Sequence, residues 1–230
     1  MKAVIFDIDD TMISEYDYVM GGYHAVAKRL SEDEDVAMSE DEVFEKLKEL
    51  SQTSYKEVYN RFLDFRGIKR DGDRVQELVS IYRHHKPNLK LYDDVRETLD
   101  ALNEKDIKLG IISDGDVARQ KNKLKITGIE NDFDCVIITD ELGNGDISYR
   151  KPDERSYIKM AETLGVDFSE MLYVGDNPTK DFFITTKHPI KTARIIREHG
   201  IYANAEYREG ITEDYRIESL TDIIRIVDPR

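Results

Sequence analysis

The sequence predicts an α/β protein: a Rossmann-like, doubly wound parallel sheet with a four-helix insertion after its first strand. Three observations carry this reading. Short apolar runs alternate with helical patterns from about residue 86 onward, the pattern of a parallel sheet covered on both faces. Residues 14–85 carry helical periodicity and no strand signal. The candidate strands also finish in chemically capable groups, where open α/β sheets place their ligands.

The first strand, Lys2-Ala3-Val4-Ile5-Phe6, is apolar and β-branched, as a buried parallel strand should be. Asp7-Ile8-Asp9-Asp10-Thr11 follows at once. Asp7 and Asp9 are two apart and share a face in extended backbone. Two like charges so close need compensation, and a hard divalent cation such as Mg²⁺ is the simplest source of it.

The insertion comes next. Tyr16, Val19, Met20, Tyr23, Val26, Ala27 and Leu30 follow the spacing of an amphipathic helix. The acidic run Glu32-Asp33-Glu34-Asp35 reads as a solvated connection. Ser39-Glu40-Asp41-Glu42 is a capping-box start, with Val43, Phe44, Leu47 and Leu50 as its apolar face. A third helix is expected through Tyr55, Val58, Tyr59, Phe62 and Phe65, ending near Gly67. A fourth starts at Asp73 and buries Val75, Leu78, Val79 and Tyr82.

From Pro87 the pattern alternates. Asp93 or Asp94 is expected to cap a helix through Leu102, and the strand from Ile107 to Ile112 ends at Ser113-Asp114-Gly115. A helix from Val117 to Thr127 stops at Gly128, and a strand runs from Phe133 to Thr139. Pro152 is placed to open a helix that ends at Gly165. The strand from Met171 to Val174 ends at Gly175-Asp176, a helix is expected from about Pro178, and a last strand covers Thr192 to Ile196.

Composition bounds the function. The formal net charge of −14 argues against nonspecific nucleic-acid binding and requires local cations for any anionic substrate. The lone Cys135 cannot form an internal bridge and reads as inert core in a reducing compartment. No stretch approaches a membrane span and the start lacks a signal-peptide pattern, so a cytoplasmic location is expected. No Gly-rich dinucleotide fingerprint or Walker loop is present. The strand ends converge Asp7, Asp9, Ser113 and Asp176, with Lys151 in the same layer, a set suited to phosphoryl chemistry.

These motifs resemble the haloacid dehalogenase-like (HAD) superfamily, largely phosphatases and other phosphotransferases. Asp7-Ile8-Asp9-Asp10-Thr11, Ser113, Lys151-Pro152 and Gly175-Asp176-Asn177-Pro178-Thr179-Lys180-Asp181 stand in the order of its four motifs. The resemblance implies a catalytic core of residues 1–13 and 86–230, with 14–85 as a C1-type helical cap that opens and closes over the crevice. It implies Asp7 as nucleophile, Asp9 as general acid and base, Ser113 as phosphoryl donor and Lys151 as charge neutraliser. It places Mg²⁺ on Asp7, Asp9 (through its backbone carbonyl) and Asp176, with Asp181 counted in that site as a support or as a partner of Lys151. The expected activity is Mg²⁺-dependent hydrolysis of a small phosphorylated metabolite through an aspartyl phosphate, by a monomer or homodimer. A phosphomutase, a 2-haloacid dehalogenase-type hydrolase and a non-catalytic binding module are the alternatives. Asp9 and Asp176 argue against the dehalogenase, which needs neither a metal nor a second acid.

One departure stands out. Asp114 follows Ser113 where an amide is common, either adding a carboxylate at the site edge or pointing into solvent, and Arg150 is the cation expected to offset it. Thr11 is expected to fix the loop after the first strand through its hydroxyl. His84 and His85 read as solvated or hinge residues, and Tyr16, Tyr18, His24 and Arg61 as helix-face packing.

Overall fold

The computed structural model describes residues 1–228. The chain divides into two compact units, Met1–Tyr16 with Leu89–Arg230, and Asp17–Asn88.

The first unit is built on a six-stranded parallel sheet: β1 (Ala3–Phe6), β2 (Lys108–Ser113), β3 (Cys135–Ile138), β4 (Met171–Gly175), β5 (Lys191–Ile195) and β6 (Tyr215–Ile217). Their order across the sheet is β3-β2-β1-β4-β5-β6. Every residue of β1 and β4 is buried, as strands covered on both faces must be. One face packs Ile5, Ile112, Met171 and Tyr173 against Tyr157 and Met160. The order reverses at β1, which pairs with β2 on one side and β4 on the other. This is the switch point at which such sheets open a crevice beyond their carboxyl ends.

Helices α5 (Asp93–Asn103), α6 (Val117–Thr127) and α8 (Arg155–Leu164) link the strands, with one-turn α7 (Thr139–Leu142) after β3 and α9 (Ile223–Val227) near the end. Gly128 and Gly165 close α6 and α8 with left-handed backbone, where glycine has no Cβ to clash. The Lys151–Pro152 bond is cis, and α8 starts at Arg155 rather than at Pro152.

The second unit holds α2 (Glu40–Thr53), α3 (Val58–Phe65), α4 (Gly72–His84) and all but the start of α1 (Glu15–Ser31). Val19, Tyr23, Val26, Leu30, Val43, Leu47, Phe62 and Leu78 form its core. Ser39 and Glu42 make the expected capping box.

Several local expectations need correction. Neither Asp93 nor Asp94 caps α5; the cap position is Tyr92, and Asp94 instead accepts bonds from Arg197, Ser219 and Leu220. No α-helix starts at Pro178, because Asn177 accepts from the amide and hydroxyl of Thr179 and turns the chain locally. Tyr55 lies outside α3 and is exposed, and of the apolar residues expected to be buried in α4 only Leu78 is fully so. Strand β6 carries too short a run to read from sequence.

Candidate active site

The parallel register sets Asp7 between the ends of β2 and β4, and its amide donates to the Val174 carbonyl at 2.9 Å. A cavity of about 140 Å³ opens there, lined by Asp7, Asp9, Ser113, Asp176, Lys180 and Tyr202 among others. Every one of these six belongs to the first unit.

Lys151 is the hub beneath it. Its side chain is wholly buried, with Nζ 2.8 Å from Asp7 Oδ2, 3.0 Å from Asp181 Oδ1 and 2.7 Å from the Tyr173 hydroxyl. Burial pushes the Asp7 carboxyl up to about 6, against the pull of Lys151. Asp176 is driven well above the ordinary carboxylate value by burial and by the charges of Asp181 and Asp7. Carboxylate oxygens of Asp7, Asp176 and Asp181 all lie within 4.8 Å of one another. Three buried carboxylates with oxygen-only donors suit a hard divalent cation, which relieves the repulsion that otherwise protonates them. Asp181 also accepts the Asn177 amide at 3.0 Å and the Tyr173 hydroxyl at 3.3 Å, and Asp7 accepts the Ile8 amide at 2.8 Å.

Ser113 is buried, and its Oγ accepts from Gln120 Nε2 at 2.9 Å. Asp9 stands apart from the three-carboxylate cluster. Lys123 Nζ lies 2.5 Å from its Oδ1, and Gln120 Nε2 lies 2.8 Å from its Oδ2. Burial opposes ionisation of Asp9, yet Lys123 and Gln120 hold its carboxyl down to about 2. Asp114 lines the cavity rather than facing solvent. It accepts from Thr139 Oγ1, from the Lys151 amide and from Lys180 Nζ. Lys180, not Arg150, is therefore its cation; Arg150 is engaged with Asp140.

Sequence reasoning brought Asp7, Asp9, Ser113, Lys151, Asp176 and Asp181 to this region but missed Gln120, Lys123 and Lys180. A signal for Gln120 alone was available: it lies four before Leu124 on α6, on a helix face that an apolar stripe would normally fill. The Thr11 hydroxyl is buried without a hydrogen-bond partner among the described residues, and its carbonyl, not its hydroxyl, ties the loop through Arg197. Cys135 is half-buried against the core, and burial raises its thiol. His24 stacks on Phe44, Tyr16 packs on His199, Tyr18 is buried, and Arg61 donates to main-chain carbonyls. His84 and His85 bond the carbonyls of Ser80 and Tyr82.

A larger, shallower cleft of about 720 Å³ lies within the second unit, lined by Arg66, Lys69, Arg70 and Arg74. Two of these four cations are already engaged, Arg70 with Asp64 and Arg74 with Asp33 and Asp35. Among the described residues no helix is long and apolar enough to cross a membrane.

The chain is similar to known proteins along nearly its whole length. A glyceraldehyde 3-phosphate phosphatase of Methanopyrus kandleri is 30% identical over 99% of this chain and 97% of its own length. The pyrophosphatase PpaX of Bacillus velezensis is 26% identical over 98% of this chain and 96% of its own. The crystal structure of a HAD phosphatase from Thermococcus onnurineus superposes with a TM-score of 0.65 at 28% identity, covering 99% of this chain and 98% of that one. Residues 4–195 match the haloacid dehalogenase-like hydrolase family. With that match spanning the sheet from β1 to β5 and all four motifs, the chain belongs to the haloacid dehalogenase-like hydrolases.

Proposed function

We propose that the protein is a Mg²⁺-dependent phosphatase that hydrolyses a small phosphorylated metabolite through an aspartyl phosphate on Asp7. In this reading residues 1–13 and 86–230 are its catalytic core, and 14–85 form its cap domain. The observation that carries the reading is Lys151, buried between Asp7 and Asp181 beside Asp176. The full-length similarity to a glyceraldehyde 3-phosphate phosphatase and a pyrophosphatase supports a small phosphorylated substrate.

Mg²⁺ would be held by Asp7, Asp176 and the Asp9 carbonyl, with Asp181 behind them, and when bound it neutralises charge on the phosphoryl group. An Asp7 carboxylate oxygen attacks phosphorus in line. The new O–P bond forms as the bond to the alcohol breaks, and Asp9 gives its proton to the departing oxygen. Water then attacks the aspartyl phosphate, Asp9 takes the proton back, and Asp7 is freed as phosphate leaves. Ser113 accepts from Gln120, so its hydroxyl proton is available for a phosphoryl oxygen. Lys151 offsets charge on the nucleophile throughout, the kind of preorganised electrostatics on which phosphoryl transfer depends.

The test is phosphate release from p-nitrophenyl phosphate, pyrophosphate and a panel of sugar and triose phosphates, with Mg²⁺, with EDTA and with Asp7→Asn. Release that needs Mg²⁺ and disappears in Asp7→Asn is expected. Release that survives Asp7→Asn refutes the mechanism, and none from any substrate refutes the activity.

A further inference from the structure

A phosphate monoester is an anion, and the cavity it must enter is acidic. Of the described residues lining that cavity, six are carboxylates and one, Lys180, is a cation. On the phosphatase reading a phosphoryl group must nonetheless reach Asp7, and the role of Lys180 rests on that reading.

Lys151 does not meet that anion. An ammonium has three N–H donors, and Lys151 Nζ has three partners: Asp7 Oδ2 at 2.8 Å, Asp181 Oδ1 at 3.0 Å and the Tyr173 hydroxyl at 2.7 Å. None of its side chain is exposed, and it is not among the residues that line the cavity. Lys180 differs on each point. Its side chain is 23% exposed and lines the cavity. Its Nζ donates to Asp114 Oδ2 at 2.7 Å, with no second hydrogen-bond partner among the described residues, which leaves two N–H donors for a ligand. Burial raises the Asp7 and Asp176 carboxyls, and Lys180 is one of the charges opposing that rise. The ammonium therefore stands within electrostatic reach of the nucleophile.

Asp114 divides its two oxygens. Oδ1 accepts from Thr139 Oγ1 at 2.9 Å and from the Lys151 amide at 3.0 Å, and Oδ2 accepts from Lys180. An asparagine could keep the first two bonds but would turn its NH₂ group towards the ammonium. The carboxylate at 114, where an amide is common, is thus matched to a lysine at the cavity wall.

We propose that Lys180 is the substrate-binding cation of the site: Asp114 holds its ammonium at the cavity wall, and its two remaining N–H groups donate to oxygens of the phosphoryl group. Lys151 then serves the nucleophile and Lys180 the phosphoryl group. Hydrogen bonds between charged partners of this kind are about twice as strong as neutral ones.

The experiment titrates inorganic phosphate into the Mg²⁺-loaded protein by calorimetry and measures KM for p-nitrophenyl phosphate. Should phosphate bind too weakly to titrate, KM carries the comparison. Wild type is compared with Lys180→Met and with the double variant Lys180→Met/Asp114→Asn. Lys180→Met should weaken phosphate at least about tenfold, the worth of a hydrogen bond to a charged group, and raise KM in step. Mg²⁺ affinity, titrated separately, should not fall, because the variant removes a cation that acts on Asp7 and Asp176. The double variant removes both charges of the pair and keeps an oxygen for Thr139 and the Lys151 amide, so it also serves if Lys180→Met fails to fold. Were Lys180 only a neutraliser of Asp114, the double variant would bind phosphate as wild type does. The proposal expects it to stay at least about fivefold weaker. A smaller loss in Lys180→Met, recovery past that limit in the double variant, or a parallel fall in Mg²⁺ affinity overturns the proposal. Wild type that releases phosphate from no ester, or Asp7→Asn that still does, instead refutes the phosphatase reading, and the proposal falls with it.

Discussion

Lys151 Nζ lies 2.8 Å from Asp7 Oδ2, with none of the lysine side chain exposed. The same ammonium lies 3.0 Å from Asp181. Its removal leaves two buried carboxylates without their cation. Lys151→Met should lower kcat by about 10²–10³-fold and stability by about 3–5 kcal/mol. Lys151→Arg should not restore activity, because a planar guanidinium cannot replace a compact ammonium in a filled site. Turnover of p-nitrophenyl phosphate and thermal melts check both effects.

Metal binding should depend on pH with a defined sign. Burial holds the Asp7 carboxyl at about 6 and Asp176 higher than an ordinary carboxylate. A cation must displace those protons, so Mg²⁺ affinity rises with pH. The rise in Tm on adding Mg²⁺ should be larger at pH 8 than at pH 5. The metal-free protein behaves in the opposite way. A carboxyl whose pKa rises on folding contributes stability below its unfolded pKa, and that contribution is lost as pH climbs through the folded value. Asp7 should therefore cost the EDTA-treated protein stability between the ordinary Asp value and about 6, visible in melts across that range.

Gly175 lies against Asp181 closely enough to exclude a side chain. A Cβ there would stand 2.3 Å from Asp181 Oδ2. Asp181 has little room to retreat, being held by Lys151 and by the Asn177 amide. Gly175→Ala should destabilise the protein by about 1–3 kcal/mol through overpacking. It should also weaken Mg²⁺ binding, measured by urea unfolding and calorimetric titration.

Asp94 secures the loop after β5. It accepts from both terminal nitrogens of Arg197, from Ser219 Oγ and from the Leu220 amide. Burial opposes its ionisation, but Arg197 and the Leu220 amide hold it below the usual carboxylate value. Asp94→Ala, which strands a mostly buried guanidinium, should cost about 3 kcal/mol at pH 7. A carboxyl with a lowered pKa loses its contribution as pH falls through the folded value, so the gap between variant and wild type should close in acid. Urea midpoints at pH 7 and pH 3 check this.

The sheet was legible where chain physics is local. Strands β1, β2 and β4 are apolar runs that end in polar residues, and no competing pattern overlaps them. Strand β6 was not, because its three residues alternate and leave Arg216 exposed. The turn at Asn177 overrode the helix signal of Pro178, since one side-chain amide closes it in two bonds. Motif residues such as Asp7 and Asp176 could be read from their positions at strand ends. Lys123 could not, because a lysine on a helix is ordinarily solvated, and only the tertiary meeting with Asp9 and Glu15 makes its burial tolerable. Asp114 shows the same limit: its identity was plain, but its partner Lys180 lies 66 residues away.

The most direct test of the mechanism is to look for the phosphoryl group on Asp7. The Mg²⁺-loaded protein is mixed with p-nitrophenyl phosphate, quenched in acid within milliseconds, and the peptide bearing Asp7 is weighed by mass spectrometry. A gain of one phosphoryl group on Asp7, absent with EDTA and in Asp7→Asn, is the predicted result. Full phosphate release with no such adduct, or an adduct on another residue, would contradict the mechanism.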